Sequence, residues 1–237
     1  RGYSGRAPEN TLAAIRAALA AGADAVEFDL HTTADGVPVL LHDETLDRTT
    51  DRSGPVAEVE LAGLAGADAG SWFSADFAGE PVPPLADALA LLADERVAIY
   101  PEVKRTGRPE DLLGVVEAVR TAGVEDRTIY ISIDWAALDE IRRVEPAARI
   151  GYVVDRPRRA DEALERATGD PSALLDFDYR ILLALPAYAE RAHAAGIPLA
   201  VWTVNSARHA QAVLDLGVPR ITTNEVEELR AWRDGLR

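Results

Sequence analysis

Cysteine is missing from the 237-residue chain, which excludes disulfides and thiolate metal sites and leaves the redox compartment open. Long apolar runs are missing too. None approaches the roughly 18 residues of a transmembrane helix, so no stable membrane anchoring is expected. Basic residues are in the minority, 25 Lys and Arg against 40 Asp and Glu, for a formal net charge of −15. A nucleic-acid binder would present a basic face, so no nucleic-acid partner is expected, and docking on anionic lipid is disfavoured by the same charge. No signal peptide is visible, and the expected location is cytoplasmic. The sequence opens on Arg1 rather than on methionine, as a processed or trimmed chain does, and a targeting segment lost before it would change that location. Nothing in the composition speaks to oligomeric state.

What is present suffices for a sizeable core: 48% of residues are hydrophobic, and the length suits one large domain over 1–237. Strands are expected at 25–31, 97–104, 128–133, 149–154, 174–178, 198–204 and 220–223. Helices are expected from Thr11 to near Gly22, then near 85–94, 109–122, 135–144, 158–168, 186–195 and 206–216, with a terminal helix closing the chain. Asp35-Gly36 marks a turn, and Val37 to His42 reads as a further extended segment. From 43 to 84 the composition shifts to Gly, Ser, Asp and Pro around Trp72, Phe73 and Phe77, which reads as an inserted lobe. Alternating strand and helix implies parallel strands joined by crossover helices. Seven core strands fall one short of the eight in a (β/α)8 TIM barrel. The missing one is the first, expected just before Arg1, so that the lobe follows the second barrel strand. An open doubly wound sheet would carry a glycine-rich phosphate loop after its first strand, and Gly2-Tyr3-Ser4-Gly5 is too short and wrongly spaced for one.

Two strand ends carry the chemistry. In Ala25-Val26-Glu27-Phe28-Asp29-Leu30-His31, alternation puts Glu27, Asp29 and His31 on one face and Val26, Phe28 and Leu30 on the other. In the segment 97–104, Glu102 and Lys104 share a face opposite Val103. Three carboxylates aimed into one interior need compensation, from ion pairs or from a cation. A lone Lys104 cannot offset three acids, and an all-oxygen donor set fits a hard divalent metal.

Arg1-Gly2 followed by Pro8-Glu9-Asn10-Thr11 resembles the opening of the glycerophosphodiester phosphodiesterase family. So do Glu27-Phe28-Asp29, the run from Thr33 to Val39, His42-Asp43, Leu46-Asp47-Arg48-Thr49-Thr50 and Gly70-Ser71-Trp72-Phe73. Pro101-Glu102-Val103-Lys104, Val201-Trp202-Thr203-Val204-Asn205 and Ile221-Thr222-Thr223-Asn224 complete the set, which spans the chain in family order. The resemblance implies a TIM barrel with a small insertion after its second strand. It also implies cleavage of a small-molecule glycerophosphodiester to sn-glycerol 3-phosphate and an alcohol, using a divalent cation, Ca²⁺ or Mg²⁺. Glu27, Asp29 and Glu102 would be the metal ligands. His42, Arg1 and Glu9 would be catalytic, with Arg1, Lys104 and Trp202 toward the substrate and its phosphate.

The residues' own chemistry leaves alternatives open. An imidazole at 42 suits general acid or base, or a hydrogen-bonding role at a strand end. Arg1 offers a planar fork to phosphate, or is a frayed end. Glu9 also reads as a first-turn helix acid, Trp202 as a barrel-core aromatic, and Trp72 with Phe73 as a lid or as the lobe's own core. His31 reads as supporting rather than metal-binding; His193 and His209 read as surface residues. The family pattern His-Arg-Gly places a second catalytic histidine before Arg1, where the first strand is also expected. Were both truly absent, a non-catalytic metal- and phosphate-binding relative would be the better reading. A phospholipase D-like hydrolase of lysolipids is the other.

Overall fold

The computed structural model describes residues 1–104, 108 and 110–236; position 109, where one helix was expected to begin, and position 237 lie outside the described residues. Eight strands form one mixed sheet: β1 (Ala25–Thr32), β2 (Pro38–Leu40), β3 (Ala98–Val103), β4 (Ile129–Ser132), β5 (Arg149–Val154), β6 (Ala173–Asp178), β7 (Leu199–Trp202) and β8 (Arg220–Ile221). Their order is β2-β1-β3-β4-β5-β6-β7-β8. Every neighbouring pair is parallel except β1 with β2, which form a hairpin through the Asp35-Gly36 turn.

Helices α1 (Leu12–Ala20), α2 (Leu85–Leu92), α3 (Asp111–Ala122), α4 (Trp135–Val144), α5 (Ala160–Ala167), α6 (Tyr179–Ala184), α7 (Ala187–Ala194), α8 (Ala207–Asp215) and α9 (Val226–Asp234) surround it. Val26, Phe28 and Leu30 of β1 point outward into one continuous core with Ile15 and Ala18 of α1 and Leu85 and Leu89 of α2. Ile129, Ile131, Val153, Leu174 and Ala200, from four successive strands, meet in a separate inner cluster with Tyr100 and Trp202 against it. These residues share the face of the sheet turned away from the helices, which in a TIM barrel is the inner one. Gly151 is required at this centre: a Cβ there would lie 2.8 Å from both Ile131 and Leu174 side chains.

Among the described residues β1 and β8 share no ladder. The opening segment lies along β1 instead, where the Gly2 N–H donates to the Glu27 carbonyl at 2.9 Å.

Between β2 and α2 the chain makes three 3₁₀ turns, Val56–Glu58, Leu61–Leu64 and Ala75–Phe77. They enclose a small core of Val39, Leu41, Leu46, Val56, Leu64, Ala69 and Val82. Trp72 and Phe73 are outside that core. Trp72 is 42% exposed and stacks edge-on to Phe73, with centroids 5.8 Å apart. The short α6, not expected from the sequence, is started by Asp178, whose carboxylate accepts from the Arg180 N–H at 2.9 Å.

Candidate active site

The C-terminal halves of β1 and β3 are in parallel register, with Asp29 beside Glu102 and Glu27 beside Tyr100. That register brings carboxylate oxygens of Glu27, Asp29 and Glu102 within 4.8 Å of one another. The compensation is larger than a lone lysine. The Lys104 ammonium bridges Asp29 at 2.7 Å and Glu102 at 2.8 Å. The Arg1 guanidinium reaches Asp29 at 3.1 Å.

The acids respond unequally. Burial pushes the Asp29 carboxyl up, but the charges of Lys104 and Arg1 outweigh it and hold it far below the usual range. At Glu102 burial wins: helped by the Asp29 and Glu27 charges and opposed by Lys104, it pushes the carboxyl up to about 7. Oε1 of Glu102 is buried and receives no hydrogen bond of good geometry, despite the nearby ammonium. Three convergent carboxylates fit a hard divalent cation.

Asn10 holds this cluster from behind, a role the sequence did not suggest. It adopts φ +58°, a conformation that Asn tolerates better than most residues. Its amide donates to Asp29 Oδ2 at 2.8 Å, and its carbonyl accepts the Asp29 N–H at 2.9 Å.

His42 follows β2. Its Nδ1 lies 2.6 Å from Asp43 Oδ1; a carboxylate acceptor there places the proton on Nδ1 and leaves Nε2 for chemistry. Asp43 is held in turn by Arg48, at 2.6 and 3.1 Å. The same guanidinium grips Glu9 at 2.8 and 3.2 Å, and Glu9 accepts from Arg1 at 3.1 Å. The hydrogen bond from Arg48, with lesser help from His42, holds the Asp43 carboxyl far below the usual carboxylate range. Burial raises Glu9, but the Arg48 hydrogen bond and the Arg1 charge outweigh it, leaving it lowered. Glu9 is therefore a partner of two arginines rather than a plain first-turn acid, and it precedes α1 altogether.

Arg1, Glu9, Glu27, Asp29, Glu102 and Lys104 thus converge, and His42 joins them through Asp43 and Arg48. Trp202 stands apart. It packs on the inner cluster, and its Nε1 donates to the Asp176 carbonyl at 3.2 Å. His31 supports the site from below, its Nε2 3.1 Å from the His42 carbonyl oxygen. His193 is exposed as expected, whereas His209 is half-buried and stacks on Tyr179 with ring centroids 5.1 Å apart. Asp176 also escaped sequence reasoning. It shares the inward face of β6 with Leu174 and is 4% exposed. Its Oδ1 has no hydrogen-bond partner among the described residues. Burial and the Glu102 and Glu27 charges push its carboxyl well above the usual range. The alternation that exposed Glu27 and Asp29 could have found it.

The model of the glycerophosphoryl diester phosphodiesterase family matches residues 1–228. A glycerophosphodiester phosphodiesterase of Caldanaerobacter subterraneus is 31% identical over 97% of this chain and 93% of its own length. The crystal structure of glycerophosphodiester phosphodiesterase from Agrobacterium tumefaciens superposes with a TM-score of 0.81 at 29% identity, covering 96% of this chain and 95% of the other. A phosphodiesterase of Oleispira antarctica, solved in complex with the product sn-glycerol-3-phosphate, superposes with a TM-score of 0.89 at 27% identity over 99% of this chain and 94% of that one.

Proposed function

The chain belongs to the glycerophosphoryl diester phosphodiesterase family, and from that premise we propose that it hydrolyses small glycerophosphodiesters to sn-glycerol 3-phosphate and an alcohol, with Ca²⁺ or Mg²⁺ held by Glu27, Asp29 and Glu102. The observation that carries the reading is the convergence of three carboxylates beside two cationic side chains and one oriented imidazole. Bound there, the cation would polarise the phosphoryl oxygens and offset the charge that grows in the transition state. Arg1 supplies a planar fork to the phosphate and Lys104 a point charge. Glu9 keeps the Arg1 guanidinium in place. His42 takes or delivers a proton at Nε2.

Exposed Trp72, stacked on Phe73, favours a second reading in which the lobe meets an acyl chain and lysolipids are the substrates. The test is turnover of glycerophosphocholine against lysophosphatidylcholine by the native enzyme. Release of choline and sn-glycerol 3-phosphate from the first, at the higher kcat/KM, supports the proposal. Preference for the lysolipid supports the second reading. Phosphate binding without turnover of either would make the protein a binding relative.

A further inference from the structure

Arg48 is 44% exposed, yet every part of its guanidinium is engaged. Nε and Nη2 fork onto Asp43, and Nη2 and Nη1 onto Glu9. Ion pairs this exposed contribute little to stability as a rule, so a four-bond arrangement calls for another explanation. The lobe places Arg48 with care. Leu46, two residues before, is buried in the lobe core, and its N–H donates to the Gly54 carbonyl at 3.0 Å. Thr49, next in sequence, is 4% exposed, and Thr50 Oγ1 donates to the Leu46 carbonyl at 2.7 Å.

The partners of Arg48 show what this rigidity serves. Asp43 and His42 are about as exposed as one another, at 32% and 33%. An Asp43 carboxylate in that setting is free to turn unless something holds it. Arg48 holds it edge-on, so that Oδ1 receives His42 Nδ1 at 2.6 Å. Through Glu9 the same guanidinium is tied to Arg1, whose own guanidinium lies 3.1 Å from buried Asp29.

We infer that Arg48 is a positioning residue for proton transfer: it fixes the Asp43 carboxylate, and through it the tautomer and plane of the His42 imidazole, relative to the phosphate-binding Arg1. The inference rests on the reading of His42 as the proton-transferring group. A guanidinium is needed because two carboxylates are gripped at once; an ammonium is a point charge and cannot reproduce the fork.

The test pairs kinetics on glycerophosphocholine with long-range ¹⁵N–¹H spectra of the histidine rings, in which His42 is assigned by its loss in His42→Gln. In the native enzyme the His42 ring should be a single tautomer protonated at Nδ1. Arg48→Gln should mix the tautomers and lower kcat about 10–100-fold, the usual scale for partners that orient a reacting group. KM should change less than kcat, within a factor of about two, because Arg1 keeps its own contacts to Glu9 and Asp29. Arg48→Lys should fail to restore either readout. Asp43→Asn should mix the tautomers with Arg48 still present. A native spectrum and native kcat in Arg48→Gln, with only a lower melting temperature, would reduce Arg48 to a tie for the lobe and overturn the inference. So would full rescue by lysine, which needs charge but no fork, or an unchanged ring in Asp43→Asn. Turnover surviving His42→Ala would instead remove the catalytic reading, and the tautomer spectra would still decide whether Arg48 orients the ring.

Discussion

At Glu102, burial and the charges of Asp29 and Glu27 push the carboxyl up to about 7. The metal-free fold therefore keeps a proton there that an ordinary glutamate has lost by that pH. A cation must displace this proton to use the carboxylate. Cation affinity should rise as pH increases toward and through about 7, then level off. Titration calorimetry in buffers of different ionisation enthalpy should show proton release near pH 6 that fades by about pH 8; release that is absent at both would show Glu102 already ionised. At His42, replacement by alanine should lower kcat roughly 10²–10⁴-fold, the scale of a general acid or base, with inorganic phosphate affinity preserved. Glu102 was legible because strand alternation puts Glu27 with Asp29 and Glu102 with Lys104, and His42 because the motif around it resembles the family's. Asn10 was not, since its value lies in a left-handed backbone conformation and in two hydrogen bonds across 19 residues. Nor was Arg48, which meets Glu9 across 39.

Among the elements, the parallel strands and most helices could be read within a residue or two, because each carries its own period and flanking signals. The helix at 135–144 falls on α4 residue for residue. The region 43–84 had no period to read. Its turns follow from a small core assembled across the segment, and α6 hides behind a six-residue length. Two substitutions probe what these elements hold. Asn10→Ala removes both contacts to buried Asp29 and should cost about 1–3 kcal/mol in denaturant unfolding, the penalty of an unsatisfied buried group, while also weakening cation binding. Leu46→Ala hollows the lobe core and should cost about 2–5 kcal/mol. It should also lower kcat more than it changes KM, since Arg48 is anchored there. A loss of stability with unchanged kcat would show that the lobe does not steer the site.

The whole molecule carries −15, yet its proposed substrate is an anion. The field at the site must therefore be set locally by Arg1, Lys104 and a bound cation against the global charge. Lys104→Met should weaken inorganic phosphate binding in cation-loaded protein; unchanged affinity would remove Lys104 from the phosphate site. Among the described residues no helix is long and apolar enough to cross a membrane. The curled sheet brings strand ends from distant parts of the sequence to one mouth, and there Glu27, Asp29 and Glu102 converge. That these three acids hold a divalent cation on which hydrolysis depends is tested most directly by ³¹P spectra of glycerophosphocholine mixed with native enzyme, first stripped of metal as verified by elemental analysis, then given Ca²⁺ or Mg²⁺. The substrate signal should persist in the stripped sample and convert to sn-glycerol 3-phosphate once the cation is added. Full conversion by enzyme shown to be free of metal would contradict the account.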